Sequence, residues 1–498
     1  MGKQRPNILL FFTDQQRADT IAALGNPVIR TPSLDRLVRE GVAFTSAYSP
    51  SPVCVSARCS MIYGQYPLHT GCYDNMPMPV DDRVSFMGAL TEAGYRTHGI
   101  GKCHFAPDSA ALRGFQTRES QEELVGSPDE DDYLKYLHAN GFGHVTDPHG
   151  IRGEMYYVPQ PAQMPARLHP TQWVGDRSVA FLEDSARNKG PWLLFASFIH
   201  PHPPFAPPCP WHKLYRAPLM PLPNVPQDWE ALLTYINRWQ NRYKYRDQGI
   251  DRNLIRSIRA YYWAAISFID YQIGRILGAL EKTGQLDDTL ILFSSDHGEY
   301  LGDYNSFGKR GMHDSAARIP LLARLPGVFD GGKTCHAPAS LVDIAPTILS
   351  ATGANITSHP LDGVDLAELV AGRSDREMVF GQFQRAGRAS YLAVDRRWKY
   401  FYSAPDNRDF LFDHAVDPLE TRNRAATPFM GDQADRMRRA LIEHLKAGSE
   451  SAALDTDQWK VYPTLPVPTD PDAGLLIQDN RWADTQIPGY TDAHPDII

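Results

Sequence analysis

Apolar positions along this chain follow two alternating patterns, which predict strands and helices in turn. Residues 7–13 form a continuous apolar run, typical of a strand buried on both faces, and lead into the polar residues Asp14, Gln15 and Gln16. Residues 31–40 begin with Thr and Pro and carry apolar positions at helical spacing, which predicts a helix. The remaining elements are predicted as strands at 41–49, 97–100, 192–198 and 289–294 and helices at 86–93 and 253–281.

This alternation of strands and helices predicts an α/β fold for most of the chain. The pattern changes near residue 378, where MVFGQF, SYLAVD, WKYFYS and DFLFDH predict a small antiparallel sheet of four strands. A helix is predicted to follow at 433–447. We therefore divide the chain into a large N-terminal domain (1–375), a C-terminal antiparallel-sheet subdomain (376–455) and an extended tail (456–498).

Composition narrows the class of protein. A chain of 498 residues with 42% hydrophobic side chains can form one large core and a smaller satellite domain. The net charge of -8, without a basic run, argues against nucleic acid or an anionic membrane as a partner. Six cysteines without a CxxC pair, and an early apolar run too short for a signal-peptide core, predict a reduced cytoplasmic protein. The Trp- and Pro-bearing tail predicts either a disordered segment or an arm on a neighbouring subunit, as in a homodimer or homotetramer.

Cys54 and Arg58 stand one helical turn apart in the segment SPVCVSARCSMIYGQYPLHTG. If a helix begins near Cys54, its free N–H groups and Arg58 would lower the pKa of the thiol and attract an oxyanion. A Cys four residues before an Arg is weak evidence by itself, because a buried structural thiol beside a surface Arg is the commoner arrangement.

Two predicted strands end in residues that bind metal ions. Asp14 and Gln15 follow the first strand, and Asp296 and His297 follow the strand at 289–294. Together they offer three oxygen ligands and one imidazole, a set suited to a hard divalent cation. An Asp-His pair after a strand is by itself more often a loop cap, and the earlier Asp-Gln pair favours the metal site.

Further basic side chains recur at short spacing. Lys102 and His104 lie two residues apart, which in an extended segment predicts that both reach the same anion. His200 and His202 in HPHPPF share a face by the same argument, and one of them is predicted to be a general acid. A hydrogen-bonded core histidine is the alternative for His200.

Several segments resemble, in order, the type I sulfatases of the alkaline phosphatase superfamily. These segments, from residue 5 to about 424, are RPNILLFFTDQQRADT, SPVCVSARCSMIYGQYPLHTG, GIGKCHF, SFIHPHPPFAPP, FSSDHGEYLGD, FGKRGMHDSAARIPLLARLPG and FLFDHAVDPLETRN. The resemblance implies an alkaline-phosphatase-like sandwich, with a large mixed, mostly parallel sheet flanked by helices and a smaller C-terminal domain. It implies that residues 1–375 form the catalytic sulfatase domain.

The resemblance also implies an activity and its cofactors. A formylglycine-generating enzyme would convert Cys54 to formylglycine, and the protein would hydrolyse a small-molecule or saccharide sulfate ester to an alcohol and inorganic sulfate. One divalent cation is implied, Ca2+ first with Mn2+ or Mg2+ as alternatives. Its implied ligands are Asp14, Gln15, residue 54, Asp296 and His297.

The resemblance assigns roles to the basic residues. Arg58 would stabilise the charged nucleophile, Lys309 and His202 would assist the leaving oxygen, and His104 would remove the proton that expels sulfate. Lys102 would neutralise the sulfate. His200 and His313 would contact the substrate, since His313 follows Lys309 by four residues.

One position departs from the family pattern, because Ser56 stands where the modification signature usually carries Pro or Ala. Without conversion, Cys54 would remain a thiol. Two other functions stay open: a phosphonate monoester or phosphodiester hydrolase of the same superfamily, and a catalytically inactive sulfatase-like binding protein. Lys102 and His104 favour the sulfatase over the diester hydrolase, and the filled ligand positions argue against the inactive protein.

Overall fold

The fold is given by a computed structural model that describes residues 5–467, except 124, 126, 153–155, 189 and 245–250. The strands are β1 (Asn7–Asp14), β2 (Val42–Phe44), β3 (Ala47–Tyr48), β4 (Arg96–Gly101), β5 (Thr117–Ser120), β6 (Trp192–Pro201), β7 (Thr289–Ser295), β8 (Leu321–Arg324), β9 (Lys333–Cys335), β10 (Ala339–Ser340), β11 (Val379–Phe383), β12 (Ser390–Val394), β13 (Trp398–Ser403), β14 (Arg408–Asp413), β15 (Leu454–Asp455) and β16 (Gln458–Trp459). The α-helices are α1 (Pro32–Glu40), α2 (Cys54–Tyr63), α3 (Pro67–Thr70), α4 (Phe86–Glu92), α5 (Asp132–Ala139), α6 (Pro170–Ser185), α7 (Tyr235–Lys244), α8 (Arg252–Lys282), α9 (Asp314–Ala317), α10 (Ile344–Thr352), α11 (Leu366–Val370) and α12 (Gly431–Ala447).

The main sheet has eight strands in the order β5-β4-β6-β1-β7-β8-β2-β9. Only β8 is antiparallel to its neighbours in this sheet, and the other strands run in one direction. The predicted mixed, mostly parallel sheet is therefore confirmed. Strand β1 lies in the middle, between β6 and β7, which explains why its sequence is a continuous apolar run.

Helices cover both faces of this sheet. Ile8, Leu10 and Phe12 belong to one apolar cluster, with residues of α2, α4 and α10. Leu9 and Phe11 belong to the opposite cluster, with residues of α1, α6 and α8. Successive residues of β1 thus supply two separate cores, as the two-residue period of a strand requires.

The C-terminal sheet has the order β11-β12-β13-β14 and is antiparallel throughout, as predicted. One face packs through Leu392, Phe401 and Phe410 against Tyr300 and its aromatic neighbours from the larger part of the chain. The other face packs against α12. This sheet is therefore enclosed on both sides, which accounts for its apolar composition.

Two sequence expectations differ from the structure, and a third is untested. The strand predicted at 41–49 is divided into β2 and β3 by a turn, because β2 pairs in the main sheet whereas β3 pairs with β10. The hairpin of β15 and β16 crosses the boundary predicted between 455 and 456, since Trp459 stacks on Tyr402 with ring centroids 4.3 Å apart. The predicted arm of the tail falls largely on 468–498, outside the described residues.

Within the described ranges, no helix combines the length and apolar character needed to cross a bilayer.

Candidate active site

Four neighbouring strands deliver polar side chains to one edge of the main sheet. Asp14 ends β1, Lys102 follows β4, His202 follows β6 and Asp296 follows β7. Because these strands are parallel, their carboxyl ends meet at the same edge. The convergence of distant segments therefore follows directly from the strand order.

Helix α2 begins at Cys54, which meets the condition on which the argument for a lowered thiol pKa depended, and its N-terminus lies at this edge. The preceding residue, Val53, is extended and its side chain makes no cap hydrogen bond, whereas the N–H of Val55 in the first turn donates to Asn75 Oδ1 at 3.1 Å. The positive end of the helix dipole therefore lies beside Cys54. All ten residues of α2 are buried, and the Cys54 side chain itself is 0% exposed. The nucleophile candidate is thus held rigidly and away from bulk water.

Four ligand atoms, one of them the Cys54 sulfur, converge at this edge of the sheet. The groups of Asp14, Cys54, Asp296 and His297 offer ligand atoms that all lie within 4.8 Å of one another. Cys54 Sγ is 3.6 Å from Asp14 Oδ1 and 3.3 Å from His297 Nε2. The Nδ1 atom of His297 lies 3.0 Å from a backbone carbonyl oxygen and must donate to it, which leaves Nε2 as a lone-pair donor facing the cluster.

Gln15, the residue that follows β1, offers a further oxygen to this set. Its N–H donates to Asp296 Oδ1 at 2.9 Å, and its side-chain Nε2 donates to Glu299. The remaining oxygen, Oε1, is buried without a hydrogen-bond partner among the described residues. An orphaned acceptor next to two carboxylates is costly unless a cation binds there, so these residues fit a hard divalent ion.

Three cations surround the carboxylates and the sulfur. The guanidinium of Arg58 donates to Asp14 Oδ2 at 3.2 Å and to Asp296 Oδ2 at 3.1 Å. The Lys102 ammonium lies 2.7 Å from Asp14 Oδ2. Lys309 Nζ lies 2.7 Å from Cys54 Sγ and 3.0 Å from His202 Nε2. The structure thus brings Arg58, Lys102, His202 and Lys309 together, as the sequence analysis expected.

The electrostatic balance favours a thiolate at Cys54. Burial and the Asp14 carboxylate both act to raise the pKa of the Cys54 thiol. Three basic groups outweigh them and hold that pKa well below its usual range, namely Lys309, Lys102 and His297. A side chain at position 54 therefore meets an environment that stabilises negative charge.

The two carboxylates respond in opposite directions. Burial and the neighbouring Asp14 raise the pKa of Asp296 to about 6. Burial also acts to raise the pKa of Asp14, but Lys102 and other cations outweigh it and lower that pKa well below its usual range. Two negative charges in one dry site repel each other, and a bound divalent cation would relieve this repulsion.

Lys102 and His104 differ in backbone conformation. His104 adopts a left-handed conformation with φ 55°, so the backbone is not extended at this residue, whereas the shared-face argument assumed that it was. The Lys102 side chain points inward to Asp14 and Glu123. His104 is partly exposed and its Nδ1 is buried without a partner in the described part of the chain.

His200 and His202 also face different neighbours. The ring of His200 lies 4.9 Å from that of His169, and its Nδ1 is 3.4 Å from Thr171 Oγ1. Burial lowers the pKa of His200 to about 4, so this ring is neutral at physiological pH. The structure therefore brings His202, and not His200, to Lys309 and position 54.

His313 lies in the aromatic contact between the two sheets. Its Nδ1 is 2.9 Å from the Tyr300 hydroxyl, and its ring is 4.7 Å from Tyr304 and 5.2 Å from Phe401. Burial lowers its pKa to about 4. His313 is the residue immediately before α9, so residues 309–313 are not one helical turn that would present both side chains on one face.

Two carboxylates of the site escaped the sequence analysis. Glu299 orients the Gln15 amide and also accepts the N–H of Gly308 at 2.5 Å. It follows His297 by two residues, and this position beside a predicted ligand could have identified it from the sequence. Glu123 binds Lys102 and lies in the polar segment between 107 and 170, where no pattern distinguishes it.

A buried thiol among carboxylates and cations, at the carboxyl edge of a mixed α/β sheet, is the setting expected of a hydrolase of tetrahedral oxyanion esters. Residues 6–354 match the family model described as Sulfatase, and residues 302–447 match the one described as N-sulphoglucosamine sulphohydrolase, C-terminal. The chain belongs to the sulfatase family and is a sulfuric ester hydrolase.

Known relatives match over nearly the whole chain. The arylsulfatase of Clostridium perfringens is 30% identical over 489 residues, covering 92% of this chain and 98% of that protein. The choline-sulfatase of Rhizobium meliloti is 31% identical over 453 residues, covering 86% of this chain and 84% of that protein. Among solved structures, a phosphonate monoester hydrolase from Silicibacter pomeroyi has a TM-score of 0.77 and 26% identity, covering 90% of this chain and 96% of that one.

Proposed function

We propose that this protein hydrolyses a sulfate monoester through a formylglycine formed from Cys54, with one divalent cation bound beside it. The observation that carries the proposal is the position of Cys54 Sγ, which lies 2.7 Å from Lys309 Nζ and within the four-ligand cluster. Nucleophile, cation ligands and a proton donor thus occupy one dry site. Such an arrangement stabilises the charge that develops when a sulfate ester is cleaved.

The chemistry divides between the bound groups and the chain. Asp14, Gln15, Asp296 and His297 would hold the cation. When bound, the cation supplies a Lewis acid, and a formylglycine hydrate at position 54 supplies two hydroxyls on one carbon, one to attack sulfur and one to let sulfate leave. The remaining steps belong to side chains of this protein.

Each basic side chain takes a separate part in the reaction. Arg58 neutralises the carboxylates that surround the nucleophile. Lys309 and His202 lie 3.0 Å apart on the other side of position 54 and deliver a proton to the leaving oxygen. His104 takes the proton of the second hydroxyl, and its unpartnered Nδ1 is consistent with that role. His200 and His313 have no part in this scheme, because His200 packs on His169 and His313 packs among Tyr300, Tyr304 and Phe401.

The donor set favours Ca2+. Carboxylate and amide oxygens outnumber the single imidazole, which suits a hard cation with flexible coordination. The imidazole of His297 keeps Mn2+ as the first alternative, ahead of Mg2+, which prefers oxygen ligands and several waters.

A phosphonate monoester or phosphodiester hydrolase is the second candidate function. The structural match to a phosphonate monoester hydrolase favours it. Lys102 and His104 favour a sulfatase instead, because the resemblance to sulfatases includes this Lys-x-His pair, whereas diester hydrolases tend to carry neutral hydroxyl residues there.

Two measurements test the proposal together. Mass spectrometry of the peptide that contains residue 54 is expected to show formylglycine, whereas an unmodified Cys54 would react with iodoacetamide.

Initial rates are then compared for aryl sulfates, sulfated sugars, choline sulfate, a phosphonate monoester and a phosphodiester. We expect at least one sulfate ester to give the highest kcat/KM, and Cys54→Ala to abolish turnover. Higher kcat/KM for the diester than for every sulfate would reverse the ranking.

A further inference from the structure

Glu123 is a buried carboxylate that joins three of the basic groups around the site. Its side chain is 3% exposed. One oxygen, Oε2, lies 2.6 Å from Lys102 Nζ, and the other, Oε1, lies 2.5 Å from Arg152 and 3.3 Å from His202 Nδ1. Arg152 therefore anchors the oxygen that faces His202.

This carboxylate is charged in spite of its burial. Burial acts to raise the pKa of Glu123, but His202, Lys102 and Arg152 outweigh it and hold that pKa well below its usual range. Removal of a single partner from such a buried group is strongly unfavourable, so the four side chains hold one another in place.

The contacts of His202 fix which ring nitrogen faces the reaction. Nδ1 lies 2.6 Å from the carbonyl oxygen of Pro203, which can only accept, so Nδ1 carries a hydrogen. Glu123 faces the same nitrogen. The opposite nitrogen, Nε2, lies 3.0 Å from Lys309 Nζ, on the side of position 54. The ring therefore presents Nε2 to the centre of the site.

We propose that Glu123 is a positioning residue for leaving-group protonation, which holds the His202 ring with Nε2 toward position 54 and fixes Lys102 beside Asp14. The inference rests on the proposed function, because it assigns Glu123 to the proton-delivery step of that reaction. Glu123 touches neither the substrate nor the nucleophile. It acts through His202 and Lys102.

Sulfate esters with different leaving groups distinguish a positioning role of Glu123 from a purely structural one. An alkoxide leaving group needs a proton in the transition state, whereas 4-nitrophenoxide departs without one. In the Glu123→Gln variant we expect kcat for an alkyl or sugar sulfate to fall by about 100-fold or more, the usual size of a general acid contribution. For 4-nitrophenyl sulfate we expect a fall of less than about tenfold, with KM little changed for both esters.

Asp343→Asn is the matched control, since Asp343 is a buried carboxylate paired with Arg376 outside the site. It is expected to change both esters by the same factor. Equal losses for the two esters in Glu123→Gln, or no loss for either, would overturn the proposal.

A second measurement uses the wild-type protein and does not depend on the folding of the variant. Nitrogen NMR of 15N-histidine-labelled protein, with His202 assigned by its loss in His202→Asn, is expected to show the hydrogen on Nδ1. A hydrogen on Nε2 alone would contradict the proposal. If the wild-type protein hydrolyses neither ester, the proposed function fails, and the nitrogen measurement then decides the orientation of His202 by itself.

Discussion

At the scale of single residues, Arg58 separates two carboxylates that would otherwise repel each other. Its guanidinium donates to both Asp14 and Asp296 and also to the Lys102 carbonyl oxygen at 2.6 Å. The side chain is 1% exposed and lies over the Phe12 ring at 5.0 Å. Arg58 therefore bridges two buried anions, and Lys102 adds a second cation beside Asp14.

Replacement of Arg58 by Gln is expected to lower the free energy of unfolding by about 3–5 kcal/mol in chelator-treated protein, because it leaves buried charge uncompensated. Calcium should restore part of this loss, since a cation that binds only the native state stabilises it. Urea unfolding with and without CaCl2 measures both effects.

Arg96→Gln is the control for that experiment. Arg96 pairs with Asp184 at the surface, where the side chains are 42% and 49% exposed, and its loss should change the free energy of unfolding by less than about 1 kcal/mol. An equal effect of calcium on wild-type protein and Arg58→Gln would contradict the expectation.

The sequence predicted the residues of the site that follow buried strands. Asp14, Asp296 and Lys102 could be placed because parallel strands end at one edge. Glu123 could not, because it comes from a segment without periodicity and its position depends on side-chain pairing. His313 was predicted from its spacing to Lys309, but the aromatic packing that encloses it involves residues from a different sheet.

At the scale of elements, helix α2 ends in a closely packed turn. Gly64 terminates it in a left-handed conformation with φ 63°, a geometry that favours glycine. A Cβ on Gly64 would lie 2.9 Å from Leu361 Cδ2 and 3.1 Å from Ala345 Cβ. Helix α3 ends at Gly71 in a similar conformation, with φ 71°, but a Cβ on Gly71 would meet no other atom within 4 Å among the described residues.

Gly64→Ala and Gly71→Ala therefore form a matched pair. Both substitutions carry a backbone penalty of about 1 kcal/mol, and only Gly64→Ala adds an overpacking penalty of about 1–3 kcal/mol. Urea unfolding of the two variants measures the difference, which should appear as a lower midpoint for Gly64→Ala. Equal midpoints would show that Leu361 moves aside without penalty.

Elements were predicted best where burial is uniform. Strands β1, β6 and β7 are buried on both faces, so their apolar runs matched the observed bounds closely. The division of 41–49 into β2 and β3 was missed because it depends on two different pairing partners, β8 and β10, which the local pattern does not contain.

At the scale of the whole molecule, an ionic cluster joins the C-terminal sheet to helix α9 of the larger part of the chain. Lys399 of β13 lies 2.6 Å from Asp314 of α9 and 2.7 Å from Glu420. His414 Nε2 lies 3.1 Å from the same Glu420 oxygen. Burial acts to lower the pKa of His414, but Asp314 and Glu420 outweigh it and raise that pKa.

This pKa shift predicts the pH dependence of stability. A histidine whose pKa is raised by folding stabilises the native state fully below its unfolded pKa of about 6.5, and loses this contribution as pH rises through the folded value. His414→Gln should therefore remove a component of stability that declines toward alkaline pH. Thermal unfolding at pH 5 and pH 8 measures the change.

His444 supplies a control of opposite sign. Burial against Phe380 lowers its pKa to about 4, so its contribution to stability declines as pH falls. His444→Gln is thus expected to shift the pH slope in the opposite direction to His414→Gln. The same sign for both variants would contradict these assignments.

The long separation in sequence between Cys54 and Lys309 bears on when Cys54 could be modified during protein synthesis. Lys309, which contacts Cys54, follows it by 255 residues, and a ribosome that adds about 5–20 residues per second needs about 13–50 s to reach it. Until then the walls around Cys54 are incomplete, whereas afterwards the thiol has no exposed surface. The proposed conversion of Cys54 would therefore have to occur before this part of the chain folds, and slower elongation would lengthen the time available.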